Sequence, residues 1–502
     1  MKLPAIFRSF SQTLVTVFLL VLAIGSSELL AKPDLAIDTS KVMHSDVTVS
    51  PALPVVEKPF TVYVQLHNNG ASLATKIPIR VQVEDSNGDR LVAEGSEDIV
   101  GKLIGGGVST YGFEFTASQT GVHKAVVVID PGNDIAEEAE DNNTASISFP
   151  VIRGELFILY HRARWRYQFM SARYMTNLTW DSSSTMEQEG WSAVKERRYW
   201  RRRGVKLIRQ VSVSPGENTS LEDRVSYFEL RAGQSTEQMG GKYHPRQFVD
   251  ELGNWGDPGW GGAEGAERGQ RCADSFIAFK ERNPEAWMGI ATSGLPRKQY
   301  SEALSKVDCV LPERYLLDKS QYGDGDWGFS EMTERGYADH VIMFLAIDAR
   351  KNGSETKGRP APRWAPDAAE IENQIRSLRT AWPGMKGIAY YMTYAGPPYP
   401  LEHPEEDMIL VADNLVYQYY VMPVLTLTYS PDRKSIHINN IGAMDTRNVE
   451  VVVRRDGSTQ ETVVPLITAG QFVVISSAAG FEKATISSDD SYTILTGDLS
   501  AP

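Results

Sequence analysis

Two adjacent carboxylates, Asp250 and Glu251, end the short apolar run Arg246-Gln-Phe-Val and lead into the loop Asn254-Trp-Gly-Asp-Pro-Gly-Trp-Gly-Gly262. Acids at a strand end can move protons, and Trp255 and Trp260 supply flat rings on which sugar faces stack. Two further acids close apolar runs: Glu313 after Asp308-Cys-Val-Leu-Pro312, and Asp348 after His340-Val-Ile-Met-Phe-Leu-Ala-Ile347. Glycoside hydrolysis needs such a pair. One carboxylic acid protonates the leaving oxygen while a second carboxylate attacks the anomeric carbon or activates water, at separations of about 5 Å for retention and about 6.5 to 9.5 Å for inversion. Successive strand residues point to opposite faces, so Asp250 and Glu251 are not both expected to reach the substrate. Glu251 and Glu313 are the predicted catalytic pair, with Asp250 orienting a neighbour or tuning a pKa and Asp348 in reserve for either role.

Polar groups interrupt other apolar runs. His161 and Arg162 follow Glu155-Leu-Phe-Ile-Leu-Tyr160, Arg209 lies within Val205-Lys-Leu-Ile-Arg-Gln-Val211, and Tyr391 and Tyr394 lie in and just past Lys386-Gly-Ile-Ala-Tyr-Tyr-Met392. Burying such groups without partners costs on the order of a few kcal/mol each, so convergence on a site is the better expectation. Together with Trp255, Trp260 and the glycine-flanked Trp327, they are predicted to bind substrate. Plainer roles exist for several. Glu313 beside Arg314 also suits an ion pair at a rim, Asp348 a turn cap, and His161 a structural hydrogen bond.

The elements that must position these residues can be read from hydrophobic runs. Eight appear between residues 153 and 427: Glu155–Tyr160, Val205–Val213, Gln247–Asp250, Ala286–Ala291, Asp308–Glu313, His340–Asp348, Lys386–Met392 and Tyr419–Leu425. Helix-like stretches at 188–203, 263–282, 297–306, 366–381 and 404–417 separate most of them. Eight buried strands with helical crossovers predict a (β/α)8 TIM barrel, whose chemistry gathers where the strands end. An open doubly wound sheet is the alternative, but no glycine-rich phosphate loop follows the first strand.

The flanks differ from the centre. Residues 1–31 carry Lys2 and Arg8, then the apolar run 13–24 and small-residue cleavage options, the pattern of a secretory signal peptide. Residues 32–152 alternate apolar and polar with frequent turns, as an immunoglobulin-like β-sandwich requires. Residues 428–502 return to short strands around Asp456-Gly457, predicting a small C-terminal β-sandwich. The predicted fold class is therefore multidomain, a TIM barrel flanked by two sandwiches.

Family resemblances emerge at this point. Pro33-Asp-Leu35, His67-Asn-Asn-Gly70, Gly121-Val-His123 and Ile135-Ala-Glu-Glu-Ala-Glu-Asp-Asn-Asn143 together resemble the CARDB type of bacterial cell-adhesion-related module. That resemblance implies an extracellular accessory domain, in some cases a polysaccharide-binding one. Asp130, Glu140 and Asp141 offer oxygens for calcium, although Asx turns explain the same residues without metal. The central segment resembles secreted glycoside-hydrolase-type TIM barrels through Val249-Asp-Glu251, Pro312-Glu313 and its strand rhythm.

Composition narrows the partners. At 502 residues and a net charge of −13, the chain is not expected to bind nucleic acid. One basic segment stands out, Arg197-Arg-Tyr-Trp-Arg-Arg-Arg203, as a solvated helix face or a grip for a sulfated or carboxylated polymer. Two cysteines, Cys272 and Cys309, exclude a disulfide framework and a cysteine zinc site. No His-Glu-x-x-His or Gly-x-Ser-x-Gly pattern occurs, so no metal or other cofactor is expected. The predicted protein is secreted or periplasmic, with no stable membrane insertion after signal cleavage. It hydrolyses a polysaccharide or oligosaccharide, and the arginines favour an anionic glycan. The alternative is a non-catalytic extracellular carbohydrate- or protein-binding adhesion protein on a barrel scaffold.

Overall fold

The computed structural model describes residues 32–39, 45–73, 76–85, 87–93, 103–161, 172–180, 192–211, 219–238, 246–249, 262–293, 298–314, 326–347, 368–392, 408–455, 457–488 and 493–496. Contacts divide the chain into two compact units, one drawn from residues up to 149 and one holding 150–502 with two short earlier segments. The predicted signal peptide lies outside the described residues. Among those described, no helix is long and apolar enough to cross a membrane.

The first unit is all β. Strands β1 (Leu35–Ala36), β2 (Val47–Ser50), β3 (Pro59–Asn68), β4 (Ile79–Glu84), β5 (Arg90–Ala93), β6 (Gly107–Thr116), β7 (Gly121–Ile129) and β8 (Thr144–Val151) form two sheets. One has the order β1-β3-β2 with β6 on β3; the other runs β5-β4-β7-β8. Along β3 the apolar Phe60, Val62, Val64 and Leu66 are buried while the residues between them are half-buried, so period-two alternation sets one face inward. Phe60 meets Phe115 of β6 and Phe149 of β8 with ring centroids 5.8 and 5.6 Å apart, which joins the sheets. Asp130 adopts φ 46° and accepts from the amides of Asp134 and Ile135, so both its oxygens close a turn.

In the second unit, β9 (Phe157–His161), β10 (Asn177–Trp180), β11 (Lys206–Val211), β12 (Arg246–Val249), β13 (Trp287–Ser293), β14 (Cys309–Glu313), β15 (Phe344–Ile347) and β16 (Gly387–Met392) close into an eight-stranded barrel. Every pairing around the ring is parallel. The helices described are α1 (Ala193–Arg202), α2 (Leu221–Gln238), α3 (Gly262–Arg282), α4 (Ser301–Lys306), α5 (Phe329–Glu334), α6 (Ala368–Ala381) and α7 (Met408–Val416). They follow the (β/α)8 logic. In α2, Val225, Phe228 and Ala232 recur at helical spacing and are buried; in α3, Cys272, Phe276 and Phe279 do the same, and Phe228 meets Phe276 at 5.4 Å. Gly387 is required where β16 meets β9, because a Cβ there would stand 2.0 Å from the Phe157 carbonyl oxygen. Both cysteines are buried thiols outside any disulfide, and burial raises the pKa of Cys272 to about 11.

The strand list needs two corrections. Tyr419–Leu425 is not a barrel strand: residues 417–421 form a π-helical turn after α7, and β17 (Val424–Tyr429) joins the C-terminal sheets. Its apolar run reflects burial of Tyr419, Tyr420 and Val421 rather than strand structure. The strand overlooked is β10, whose four residues Asn-Leu-Thr-Trp alternate polar and apolar and make no continuous run. The 18-residue α2 is a further element absent from the helix-like stretches, although Ser220 and Asp223 cap its start reciprocally, the Asp223 amide donating to Ser220 Oγ at 3.1 Å and the Ser220 amide to Asp223 Oδ2 at 3.2 Å.

Beyond the barrel, β17, β18 (Ser435–Asn440), β19 (Thr446–Arg455), β20 (Ser458–Ile467), β21 (Phe472–Ser476), β22 (Lys483–Ser487) and β23 (Thr493–Thr496) form two sheets, β21-β18-β17-β23 and β20-β19-β22. Leu425, Ile436 and Ile438 of the first share an apolar cluster with Val449, Val451 and Ile486 of the second.

Candidate functional site

A closed parallel barrel brings all strand C-termini to one rim. Ring contacts identify which residues point inward just below it. His161 at the end of β9 lies 4.9 Å from Phe248, 5.5 Å from Phe344 and 5.6 Å from Tyr391, measured between centroids. Phe344 also meets Tyr391 edge-on at 5.9 Å and Phe248 at 6.4 Å. Residues from β9, β12, β15 and β16 thus converge on one aromatic layer. His161 is fully buried, and its Nδ1 lies 2.8 Å from Oγ1 of Thr179 on β10. Thr179 is a residue that the hydrophobic reading missed, because it sits in the overlooked strand.

Strand register extends this layer to the rim. Glu313, the last residue of β14, pairs with Phe344 on one side and Ser293 on the other. In-register residues of neighbouring parallel strands share a face, so Glu313 is on the inward face with Phe344. It is half-buried, at the C-terminal end of its strand. Arg314 takes the other side. Its amide donates to the Phe344 carbonyl at 2.9 Å, and its guanidinium stands near Glu331 of α5 and Asp326, while burial lowers its pKa. Alternation along the chain therefore separates Glu313 from the arginine that follows it.

Other predicted residues are placed elsewhere. Arg209 is in register with Gln247, which donates to the Phe228 carbonyl of α2 at 2.9 Å, so both face the outer helix layer. Arg209 is buried near Tyr227 and Arg231 of that helix; burial, then the Arg231 charge, push its pKa down. Trp327 is 5% exposed, has φ 56°, and donates from its indole to Ser377 Oγ on α6 at 3.1 Å, a packing role between helices. The structure brings His161, Glu313 and Tyr391 to the inner face and leaves Arg209 and Trp327 off it. Asp250, Glu251, Asp348, Arg162, Trp255, Trp260 and Tyr394 lie outside the described residues.

The opposite end of the barrel is plugged. Phe157 and Trp287 stack at 5.7 Å, and Arg246 lies 5.5 Å over the Trp287 ring. Below it, a cleft of about 560 Å³ is lined by Arg153, Arg379, Tyr420, Ile441 and Gln471 among others. Arg379 is bound there to four backbone carbonyls, so this end is built for cohesion. Among the described residues, no group of three or more His, Cys, Asp or Glu side chains is disposed to hold a metal ion.

Residues 32–147 match the CARDB family model. Among solved structures, the CARDB domain of a Pyrococcus furiosus protein, determined in complex with di-metal ions, is 21% identical, covering 24% of this chain and 90% of its own, with a TM-score of 0.18. Bacteroides uniformis β-glucuronidase 2 is 10% identical over 93% of this chain and 63% of its own, with a TM-score of 0.33. A cycloisomaltooligosaccharide glucanotransferase from Paenibacillus sp. is 9% identical over 90% of this chain and 70% of its own, with a TM-score of 0.37. The chain thus spans less than two thirds of the glucuronidase's length. No curated protein matches it. The barrel assignment rests on the strand pairing.

Proposed function

We propose that this protein is a secreted glycoside hydrolase that cuts a polysaccharide at the C-terminal rim of its barrel strands, with Glu313 as one of two working carboxylates. The observation that carries the reading is the position of Glu313: strand-terminal, half-buried, on the inward face in register with Phe344, and turned from Arg314. A carboxyl group at a strand end beside an aromatic layer stands where the chemistry of a parallel barrel gathers. His161, oriented through Thr179, and Tyr391 would contact or position the sugar. Glu251 remains the proposed partner carboxylate, with Asp250 and Asp348 as the alternatives, and Trp255, Trp260 and Tyr394 as sugar platforms. Arg209 and Trp327 are dropped from the binding set, because their side chains are engaged in the helix layer.

In this scheme one carboxyl group protonates the glycosidic oxygen as the bond breaks, and the other carboxylate takes the anomeric carbon or deprotonates water. The all-β segments 32–152 and 428–502, the latter read as a small sandwich, would serve as spacing or glycan-binding modules. The test is reducing-end release from neutral and anionic polysaccharides by the wild type, Glu313→Gln and Glu251→Gln. Loss of activity by orders of magnitude in both variants, with folding intact, supports the scheme. A polymer bound equally by all three proteins and cut by none replaces it with a non-catalytic glycan-binding role.

A further inference from the structure

A strand with one solvated side alternates apolar residues inward with polar residues outward. In the sheet β21-β18-β17-β23, β18 follows that pattern: Ile436 and Ile438 enter the core, and Ser435, His437 and Asn439 face out. β17 turns Thr426 and Thr428 to the same side, in register with Asn439 and His437. β21 departs from it. Val473 and Ile475 pack on the core, yet the outward positions between and before them are Val474, 42% exposed, and Phe472, 59% exposed. Register sets Phe472 beside Asn439 and Val474 beside His437, so these side chains share one outer face.

β21 ends its sheet, and end strands are ordinarily blunted by charge or proline. Here β17, β18 and β21 contain no Asp, Glu, Lys or Arg. The rings of Phe472 and His437 lie 6.2 Å apart between centroids and 27° from parallel, which makes a two-ring platform. Neutral polar groups surround it. The Asn439 amide donates to Thr426 Oγ1 at 3.1 Å, and the Ser435 and Ser476 hydroxyls are 3.0 Å apart. Asn439 and Gln471, the neighbours of Phe472 across the strands and along the chain, also line the cleft of about 560 Å³ below the barrel.

We propose that this outer face is a second glycan-binding site, taking an uncharged polysaccharide by stacking a sugar ring on Phe472. His437 extends the platform, and the Asn439 amide and nearby hydroxyls meet the ring hydroxyls. A sulfated or carboxylated chain is a poorer match, because no guanidinium or ammonium stands on these three strands to receive its charge. A protein partner is poorer too. A phenylalanine a little over half exposed offers on the order of 100 Å² of apolar surface, far short of the roughly 1,200 Å² of a stable protein interface but enough for one sugar face. The adjoining cleft is lined by Glu155, Leu156 and Lys386, which precede β9 and β16, so the site holds polymer at the barrel end away from Glu313. The choice of a glycan rests on the carbohydrate-active reading of the barrel.

The test is affinity electrophoresis of the full chain through gels containing galactomannan, arabinoxylan, laminarin, dextran or polygalacturonate. Wild type is compared with Phe472→Ala, Phe472→Tyr and Val463→Ala. At least one uncharged polymer should retard the wild type, and Phe472→Ala should weaken that binding about tenfold or more. Phe472→Tyr keeps the ring and should keep most of the affinity. Val463→Ala, which removes a comparably exposed apolar side chain from the other sheet, should match wild type. Because Phe472 is exposed, its loss should leave the fold intact, as circular dichroism would show. Retardation by no uncharged polymer, or equal retardation of wild type and Phe472→Ala, overturns the proposal. A wild-type dimer in sedimentation that Phe472→Ala dissolves overturns it in favour of self-association. Glu313→Gln separates this site from the catalytic reading: it should abolish turnover and leave retardation unchanged, whereas Phe472→Ala should still cut short oligosaccharides.

Discussion

His161 and Thr179 face each other inside the barrel, with Nδ1 2.8 Å from Oγ1 and both side chains buried. The contact orients the imidazole within the ring of Phe248, Phe344 and Tyr391. Thr179→Val keeps the shape and removes the hydroxyl, leaving a buried ring nitrogen short of a partner, at a cost of about 1–3 kcal/mol. Thr179→Ser should retain most of the stability. Urea unfolding of the two variants checks this, and equal losses in both would mean that packing of the methyl group, not the hydrogen bond, holds the site.

Glu313 should behave differently. It is half-buried at a strand end, so Glu313→Gln is expected to change stability by less than about 1 kcal/mol. Removal of a working acid or base should lower kcat by about 10²-fold to 10⁴-fold. A variant that unfolds readily and turns over normally would assign Glu313 to structure.

The barrel was legible because most of its strands are continuous apolar runs, as burial on both faces demands. The exceptions show where that signal fails. Asn177-Leu-Thr-Trp180 carries buried Asn177 and Thr179, which are polar because one shares hydrogen bonds near β9 and the other holds His161. Tyr419-Tyr-Val421 is apolar because a π-helical turn packs it inside. For the site, strand ends pointed to His161, Glu313 and Tyr391, whereas Arg209 shows the limit of that rule. A polar residue within an apolar strand can face the helix layer as easily as the lumen, and only register against Gln247 distinguishes the two.

Arg379 gives a sharper stability test. The guanidinium is 1% exposed and donates to the carbonyls of Tyr419 at 3.0 Å, Pro383 at 3.0 Å, Met385 at 2.8 Å and Ile441, while lying 4.6 Å over the Tyr420 ring. One side chain therefore ties the end of α6 to the π turn and to the loop before β19. Arg379→Met fills similar volume and orphans those carbonyls, so a loss of about 3–5 kcal/mol is expected. Arg379→Lys should recover little of it, since one ammonium cannot reach four directions. Thermal unfolding of both variants decides the point; a methionine variant within 1 kcal/mol of wild type, on the order of a surface substitution, would show that the carbonyls find other partners.

Arg153 and Asp445 set an acid limit on the same unit. Arg153 Nε donates to Oδ1 at 2.9 Å, a second bond joins Nη2 to Oδ2, and the Ala469 amide donates to Oδ1 at 2.9 Å. Burial pushes the Asp445 pKa up, but the bonds from Arg153 and Ala469 outweigh it and leave the carboxyl below its usual value. A group with a depressed folded pKa takes its proton more readily when unfolded. Its stabilisation is therefore present above the ordinary carboxylate range, near about pH 4, and is lost as pH falls through the lower folded value. Arg153 is 41% exposed, which holds the expected contribution to about 1 kcal/mol. In denaturant titrations from pH 7 downward, Asp445→Asn should start less stable than wild type, and the gap should close as the acid range is entered. A gap that stays constant with pH would place the effect in the lost Ala469 contact and not in the charge.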